Sequence, residues 1–519
     1  MKHLVVVGLA LLAVSGARAQ AVPGGARPLA TVVVDTRQAG TFIPRDFIGY
    51  SLEVSTAGQG IGAFQGGGAG AGPEAEQSVY ALGRPGAPNL VYFRLMRNLG
   101  PGILRLGGNS QDNTCWHRAE APHPDACQAE LDSADLALWA AASRASGWKL
   151  IVGLNLKQND PAWALGEVTD GIAAAIPARD VFALEPGNEP DLFARTPYRA
   201  QPYTAADQAH EFLGYARAFA ADPVAKRYAL AGPATCCDWR DVAGLRVFLD
   251  SIAPMPVKWV TVHNYSATTC GGQTVSIARL LSRELMDRFN AEARPLAAEA
   301  DRRGLPIAMA ETNSASCGGM PGVSNAFAAA LWGLDYAFSL AQDGFVAVDF
   351  HTSYRPGGGS SYNPVDTYGQ RDAAGRWRYR DVPEPLYYAL YLFARNASGT
   401  SLLPATASGE FNVTAYAVRA CAACDVKVFV LNKDTAAAGP VRVSLGRRMG
   451  AGSLLLLSAP SLGSLAPDVR LGGRQFDGNG AVGAPKTTAV RPDASGAYVF
   501  DLPNAAIAVL TVRPGGRAP

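Results

Sequence analysis

The 519-residue chain has no run of Lys or Arg longer than two, and its 46 basic side chains nearly balance 44 acidic ones, for a formal net charge of +2. Proteins that grip a phosphate backbone concentrate positive charge on one face, so this balance argues against nucleic acid as a partner. The only long apolar stretch near the start, Leu4–Val14, is about half of the ~20 residues that a membrane-spanning helix needs, and no later stretch is longer, so no transmembrane helix is expected. No GxGxxG or Walker sequence supports a nucleotide site. Histidine is scarce, with six residues and neither an HExxH nor an HxH arrangement, so the sequence does not call for a metal. With 48% hydrophobic and only 17% charged residues, the chain is not disordered.

Lys2, the apolar run and Ala17-Arg18-Ala19 follow the charge, core and small-x-small order of a cleavable signal. Residues 1–20 are therefore expected to be a signal peptide, and the protein to be secreted or periplasmic. In that oxidising setting eight cysteines favour disulfides over metal ligation. Cys115 with Cys127 and Cys421 with Cys424 are close enough to pair locally, which leaves Cys236, Cys237, Cys270 and Cys317 with open connectivity. The CxxC at Cys421 has no second CxxC and no nearby His to complete a zinc site.

From Phe47 the chain alternates short β-rich runs with longer amphipathic segments. The runs are Phe47–Glu53, Gly102–Gly108, Trp148–Leu156, Val181–Glu185, Tyr228–Gly232, Lys258–Tyr265, Pro306–Glu311 and Val346–His351. Segments such as Ala134–Ser146, Ala205–Ala221, Ile277–Arg303 and Asn325–Gln342 are long enough for crossover helices. Eight β-then-α units favour an α/β fold of the closed (β/α)8 TIM barrel kind over an open doubly wound sheet. The Gly-rich stretch from Ser55 to Pro88 is expected to lie over a site. Beyond about Ser408 short alternating strands punctuated by Gly and Pro give a β-sandwich signature. Leu29–Asp35 has no barrel role, so it is expected to join that sandwich. The resulting division is 21–45 for the N-terminal strand, 46–400 for the barrel and 401–519 for the β-sandwich.

In a parallel barrel the reactive groups stand at the carboxyl ends of the strands. Glu189 closes Glu185-Pro-Gly-Asn-Glu after the fourth strand, and Glu311 ends the seventh, two strands that face each other across the mouth. A pair of carboxyl groups flanking one bond is what glycoside hydrolysis needs: about 5–5.5 Å apart for a retaining double displacement, about 6.5–9.5 Å for inversion with an intervening water. One must be ionised and the other protonated. Tyr265 and Arg105, also at strand ends, can hold Glu311 ionised, whereas Glu189 needs desolvation or a neighbouring carboxylate to keep its proton. His263 and His351 read as core or sugar-contacting histidines, and Asp112 and Asp349 as structural partners of Arg or of loop amides. Trp116, Trp163 and Trp377 are each as good a hydrophobic plug as a sugar-stacking face.

Asn188-Glu189-Pro190 and a Glu on the seventh strand resemble the large glycosidase clan built on this barrel. Leu106-Gly-Gly-Asn-Ser110, Gly187-Asn-Glu-Pro-Asp191, His263-Asn-Tyr265 and Glu311-Thr-Asn-Ser-Ala-Ser-Cys-Gly-Gly319 resemble, more narrowly, family 79 of the glycoside hydrolases, the heparanase and β-glucuronidase family. The resemblance implies Glu189 as general acid/base, Glu311 as nucleophile and Asn188 beside the sugar 2-hydroxyl. It further implies a uronate carboxylate held by the amides of Gly318 and Gly319 and by Tyr362 of Tyr-Asn-Pro-Val-Asp366, sugar contacts from Glu53 and Asn109, and Tyr265 supporting the nucleophile. Two departures stand out: the stretch from Glu311 to the Gly pair is one residue longer than in the mammalian enzyme, and Ser316-Cys317 replaces an expected Tyr. Cys317 is thereby free to be tied to Cys270 on the preceding loop.

The expected activity is removal of β-linked glucuronic acid from a glucuronide or uronic-acid-containing oligosaccharide, with no cofactor. A clan relative acting on neutral sugars, an endo-acting heparanase-like enzyme and a catalytically silent carbohydrate-binding protein are the alternatives. Near-neutral charge favours exo action on small glucuronides, because a cleft for sulfated polymers wants clustered Lys and Arg. Oligomeric state leaves no mark on the sequence.

Overall fold

Eight short runs, apolar on both faces, are what a parallel sheet wrapped by helices requires. In the computed structural model, which describes residues 28–54, 81–118, 127–352, 360–447 and 449–514, they form a closed barrel. Its strands, first to eighth, are Ile48–Glu53, Ile103–Gly107, Lys149–Leu154, Val181–Pro186, Ala231–Thr235, Trp259–Thr268, Ile307–Ser316 and Ala347–Thr352. Neighbours are parallel in chain order, and the eighth strand pairs with the first in the register His351 to Ser51. The ring closes where the amide of Leu184 on the fourth strand donates to the carbonyl of Ala229, 2.8 Å away, just ahead of the fifth.

The fifth strand lies three residues later than the apolar pattern predicts. It contains Pro233, whose missing N–H makes a poor central-strand residue, and the ladder to the sixth strand slips between Pro233 and Thr235, with Ala234 in a left-handed conformation at φ 57°. The single helix expected over Ile277–Arg303 is two, Ile277–Leu280 and Arg283–Asp301. Ser282 separates them, and its hydroxyl accepts from the amide of Leu285 as the cap of the second.

The C-terminal part stacks a four-stranded sheet on a larger antiparallel one. Ala30–Val34 belongs to the smaller sheet, antiparallel to Ala405–Ser408 and parallel to Gly439–Ser444. The larger sheet runs through Val413–Arg419, Val426–Asn432, Ala506–Val512 and Gly452–Ser458. Alternate inward residues such as Val32, Val430, Val441 and Leu510 are fully buried between the two. Helix Phe327–Asp343 is buried along almost its whole length because it carries barrel strands on one side and this sandwich on the other. At that seam Phe338 stacks on Tyr416 at 4.5 Å, and buried Lys433 pairs with buried Asp335 at 2.6 Å. Among the described residues, no helix is long and apolar enough to cross a membrane. Most of the Gly-rich stretch expected to lie over a site, residues 55–80, falls outside the described residues.

Candidate active site

Arg105 points inward from the second barrel strand and has no exposed surface. Its Nε meets Glu185 Oε2 at 2.5 Å, Nη1 donates to Glu311 Oε2 at 2.9 Å and to Ser51 Oγ at 3.1 Å, and Nη2 donates to Asn188 Oδ1 at 2.9 Å. One planar fork thus links the first, second, fourth and seventh strands, a geometry that suits guanidinium far better than ammonium. The Gly107-Gly108 pair makes room for it: a Cβ on Gly107 would lie 2.6 Å from the Arg105 guanidinium carbon, and one on Gly108 2.5 Å from the carboxyl carbon of Glu53. Asp349 lies close enough to Arg105 to interact with it electrostatically but makes no side-chain hydrogen bond among the described residues, and burial pushes its carboxyl well above the usual range. Its tie to Arg105 is thus electrostatic, across the barrel interior, and not a direct hydrogen bond. Asp112, by contrast, accepts from the amides of Leu156, Lys157 and Asn188 and fixes the start of the Glu189 turn.

Glu189 and Glu311 come together at the mouth. One oxygen of each, with one ring nitrogen of His263, all lie within 4.8 Å of one another. Glu189 has left-handed backbone angles, φ 49° and ψ 51°, uncommon for a non-glycine residue and a recurrent feature of functional turns. Burial, and next the proximity of Glu311, raise its carboxyl well above the ordinary range. For Glu311 burial alone would also act upward, but His351, Arg105 and the Tyr265 hydroxyl, 2.9 Å from Oε1, outweigh it and hold the carboxyl below the ordinary range. His263 contributes no charge at neutral pH, because burial and then Arg105 push it down to about 4. Its Nδ1 lies 3.2 Å from Glu189 Oε1, so a neutral imidazole can accept from the protonated acid in one tautomer or donate to the carboxylate in the other.

His351 bridges two acids. Its Nδ1 is 3.6 Å from Glu311 Oε2 and its Nε2 3.6 Å from Glu53 Oε1, and although burial would lower it, Glu311 and Glu53 raise it above its ordinary value. Glu53 also accepts from the amide of Asn109, and from the amide and hydroxyl of Ser110. Asn109 itself is exposed at the rim. Three donors, Glu189, His263 and Glu311, could reach one divalent ion. The positive charge such an ion would supply is already provided to Glu311 by Arg105, so the donor set fits an ion poorly.

The seventh strand runs on past Glu311 to Ser316 and then turns through Cys317, Gly318 and Gly319, with φ of 61°, 88° and 77°. Cys270 on the sixth loop is disulfide-bonded to Cys317 and pins this turn. The carbonyl of Gly318 accepts from Ser361, and a Cβ on Gly319 would lie 3.2 Å from that of Tyr362, so the Gly pair and Tyr362 share one wall. Tyr362 is buried and lies 6.1 Å from the Tyr265 ring and 6.2 Å from His351. Asn313, which sequence reasoning passed over, donates to the carbonyls of both His351 and Tyr362, 2.9 Å each, and so fixes that wall. Trp116 is core, Trp163 packs half-buried under Arg118, and Trp377 stacks on Tyr379 beneath Arg84. Cys115–Cys127 and Cys421–Cys424 are paired, and Cys236 is bonded to its neighbour Cys237.

No protein-family model matches the chain. It is 26% identical over 323 residues to a beta-glucuronidase of Neurospora crassa, covering 55% of this chain and 56% of that protein. A beta-glucuronidase of Aspergillus niger is 26% identical over 328 residues, 54% and 56% of the two chains. The chain thus spans about half the length of the curated relatives it matches. Among solved structures, the 4-O-alpha-L-rhamnosyl-beta-D-glucuronidase of Fusarium oxysporum 12S superposes with a TM-score of 0.71 at 17% identity, over 92% of this chain and 100% of that one. A GH51 arabinofuranosidase of Xanthomonas axonopodis pv. citri gives 0.64 at 15% identity, over 94% and 100%. At these identities the structural likeness concerns the fold: a TIM barrel carrying an antiparallel sheet domain.

Proposed function

We propose that this protein is a retaining glycoside hydrolase of the β-glucuronidase type, related to family 79, with Glu311 as nucleophile and Glu189 as general acid/base. The observation that carries this reading is the approach of one oxygen of each carboxyl group to within 4.8 Å, in surroundings that push the two acids in opposite directions. So close an approach of one oxygen from each group suits the shorter spacing of direct attack better than the wider one that an inverting reaction needs for its water. An Oε of Glu311 attacks the anomeric carbon while the bond to the aglycone oxygen breaks, and Glu189 gives its proton to that oxygen. Glu189, now a carboxylate, takes a proton from water as the water oxygen attacks the same carbon; the glycosyl ester breaks and Glu311 leaves as carboxylate. Each carboxyl group ends as it began, and the anomeric configuration is retained.

Charge-assisted hydrogen bonds from the amides of Gly318 and Gly319 and from the Tyr362 hydroxyl are the proposed grip on a uronate carboxylate, which needs no buried cation. Asn188, held by Arg105, faces the 2-hydroxyl in this reading, and Glu53 and Asn109 take further hydroxyls at the rim. The names of the two fungal relatives support glucuronides as the substrate class. Four disulfides accord with a secreted or periplasmic protein. Hydrolysis of a paired aryl β-glucuronide and aryl β-glucoside, with proton NMR of the first anomer released, tests both specificity and stereochemistry. Preferred cleavage of the glucuronide to the β-anomer is expected; preference for the glucoside would favour a neutral-sugar enzyme, and an α-anomer would exclude a glycosyl-enzyme route.

A further inference from the structure

Glu189 is held from the far side by a device that its own strand does not supply. Its amide donates to the carbonyl of Ala234, 2.9 Å away on the fifth strand. Two residues beyond each of these partners the connection repeats: the carboxylate of Asp191 accepts from the amide of Cys236 at 3.2 Å to both oxygens and from that of Cys237 at 2.6 Å. Two successive backbone N–H groups converging on one carboxylate form an anion nest. Cys236 and Cys237 are bonded to each other, which closes an eight-membered ring around the peptide between them. A free dipeptide would lose conformational entropy to aim both amides one way, and the ring removes much of that freedom in advance. Asp191 is buried beneath the ring, while Cys237 is exposed above it. Both Glu189 and Ala234 occupy left-handed conformations, which persist for non-glycine residues only where surrounding contacts over-determine them.

We propose that Asp191 and the Cys236–Cys237 ring are a positioning clamp for Glu189: the ring presents two amides to Asp191, and Asp191 anchors the turn on which the proton donor stands. Neither touches the reacting atoms. This rests on Glu189 being the general acid/base, and it deepens that reading by assigning what keeps the side chain aimed.

The test uses leaving groups. Proton donation matters greatly when the aglycone is a poor leaving group and little when it is an acidic phenol, so a misaimed Glu189 is felt selectively. Asp191→Asn and the double variant Cys236→Ala/Cys237→Ala are compared with wild type and with Glu189→Ala on an alkyl glucuronide and on a nitrophenyl glucuronide, alongside thermal unfolding. The expected result is a drop of about 10²-fold in kcat/KM on the alkyl substrate with less than about a 3-fold drop on the nitrophenyl substrate, at near-wild-type Tm for the Ala double variant. Equal losses on both substrates, tracking a fall in Tm, would mean a purely structural role and overturn the proposal, as would no loss at all. If Glu189→Ala itself shows no leaving-group dependence, the acid/base reading fails and this inference with it. Normal dependence there with indifferent clamp variants overturns the clamp alone.

Discussion

Nη1 of Arg105 donates to Oε2 of Glu311 at 2.9 Å and to Ser51, while Nε and Nη2 of the same guanidinium engage Glu185 and Asn188. Together with His351 and the Tyr265 hydroxyl, this buried cation holds the proposed nucleophile ionised, and its other contacts lock its orientation. Lysine at this position keeps the charge and loses the fork. Arg105→Lys is expected to lower kcat by about 10²-fold through misorientation and to lower Tm, because Glu185 and Asn188 lose hydrogen bonds in a buried site. Steady-state kinetics and thermal unfolding check it; near-wild-type kcat would mean that Arg105 acts only as a bulk charge.

The opposite displacement of the two carboxyl groups sets the pH profile. Activity requires Glu311 ionised and Glu189 protonated, so kcat/KM is expected to be bell-shaped, with an acidic limb below the ordinary carboxylate range and a basic limb well above it. The signs for stability are opposite too. Glu311, lowered in the folded state, contributes stability above its ordinary 4.5 that is lost as pH falls toward the folded value. Glu189, raised in the folded state, costs progressively more as pH climbs from 4.5 toward its folded value. Glu189→Gln is thus expected to abolish the basic limb and to raise Tm at alkaline pH relative to wild type, with little change near pH 4; a scan of Tm against pH checks it.

Tyr362 is the side chain by which a uronate would be told from a neutral sugar. Removing its hydroxyl in Tyr362→Phe is expected to cost about 1.5–3 kcal/mol in binding a carboxylate, a 10- to 150-fold loss of kcat/KM on an aryl glucuronide. The corresponding aryl glucoside should change by less than about 2-fold. Equal effects on both would remove Tyr362 from the uronate contact.

The seam between barrel and sandwich depends on Asp335, which takes Lys433 at 2.6 Å and the Tyr416 hydroxyl at 2.7 Å, all buried. Lys433→Met leaves a carboxylate uncompensated and is expected to destabilise by about 3–5 kcal/mol, whereas Lys433→Met with Asp335→Leu should recover much of that. Denaturant unfolding measures both, and activity per folded molecule should be unchanged because neither residue approaches the acids.

The barrel is legible because each strand is a short apolar run between amphipathic segments, and the meeting of Glu189 and Glu311 because the carboxyl ends of parallel barrel strands converge at one mouth. The fifth strand misled because Gly232-Pro233 breaks the β pattern, and only its neighbours' ladders show why a proline is tolerated there. Glu185 read as the last residue of an apolar run; that it neutralises Arg105 depends on two strands meeting, which no spacing in the chain reveals. The double reach of His351 to Glu53 and Glu311 and the support that Asn313 gives to Tyr362 are equally products of barrel closure. Local pairs of cysteines are readable from separation, whereas the sequence leaves the connectivity of Cys236 and Cys237 open, because it does not show which loops meet.

The most direct measurement is to trap the intermediate. Incubation with a 2-deoxy-2-fluoro-β-glucuronide bearing an activated leaving group, followed by peptide mapping by mass spectrometry, should find one glycosyl adduct per chain, esterified to Glu311 and absent from Glu311→Gln. An adduct on any other residue, or turnover of ordinary glucuronides by Glu311→Gln at more than a few per cent of the wild-type rate, would contradict the proposed mechanism.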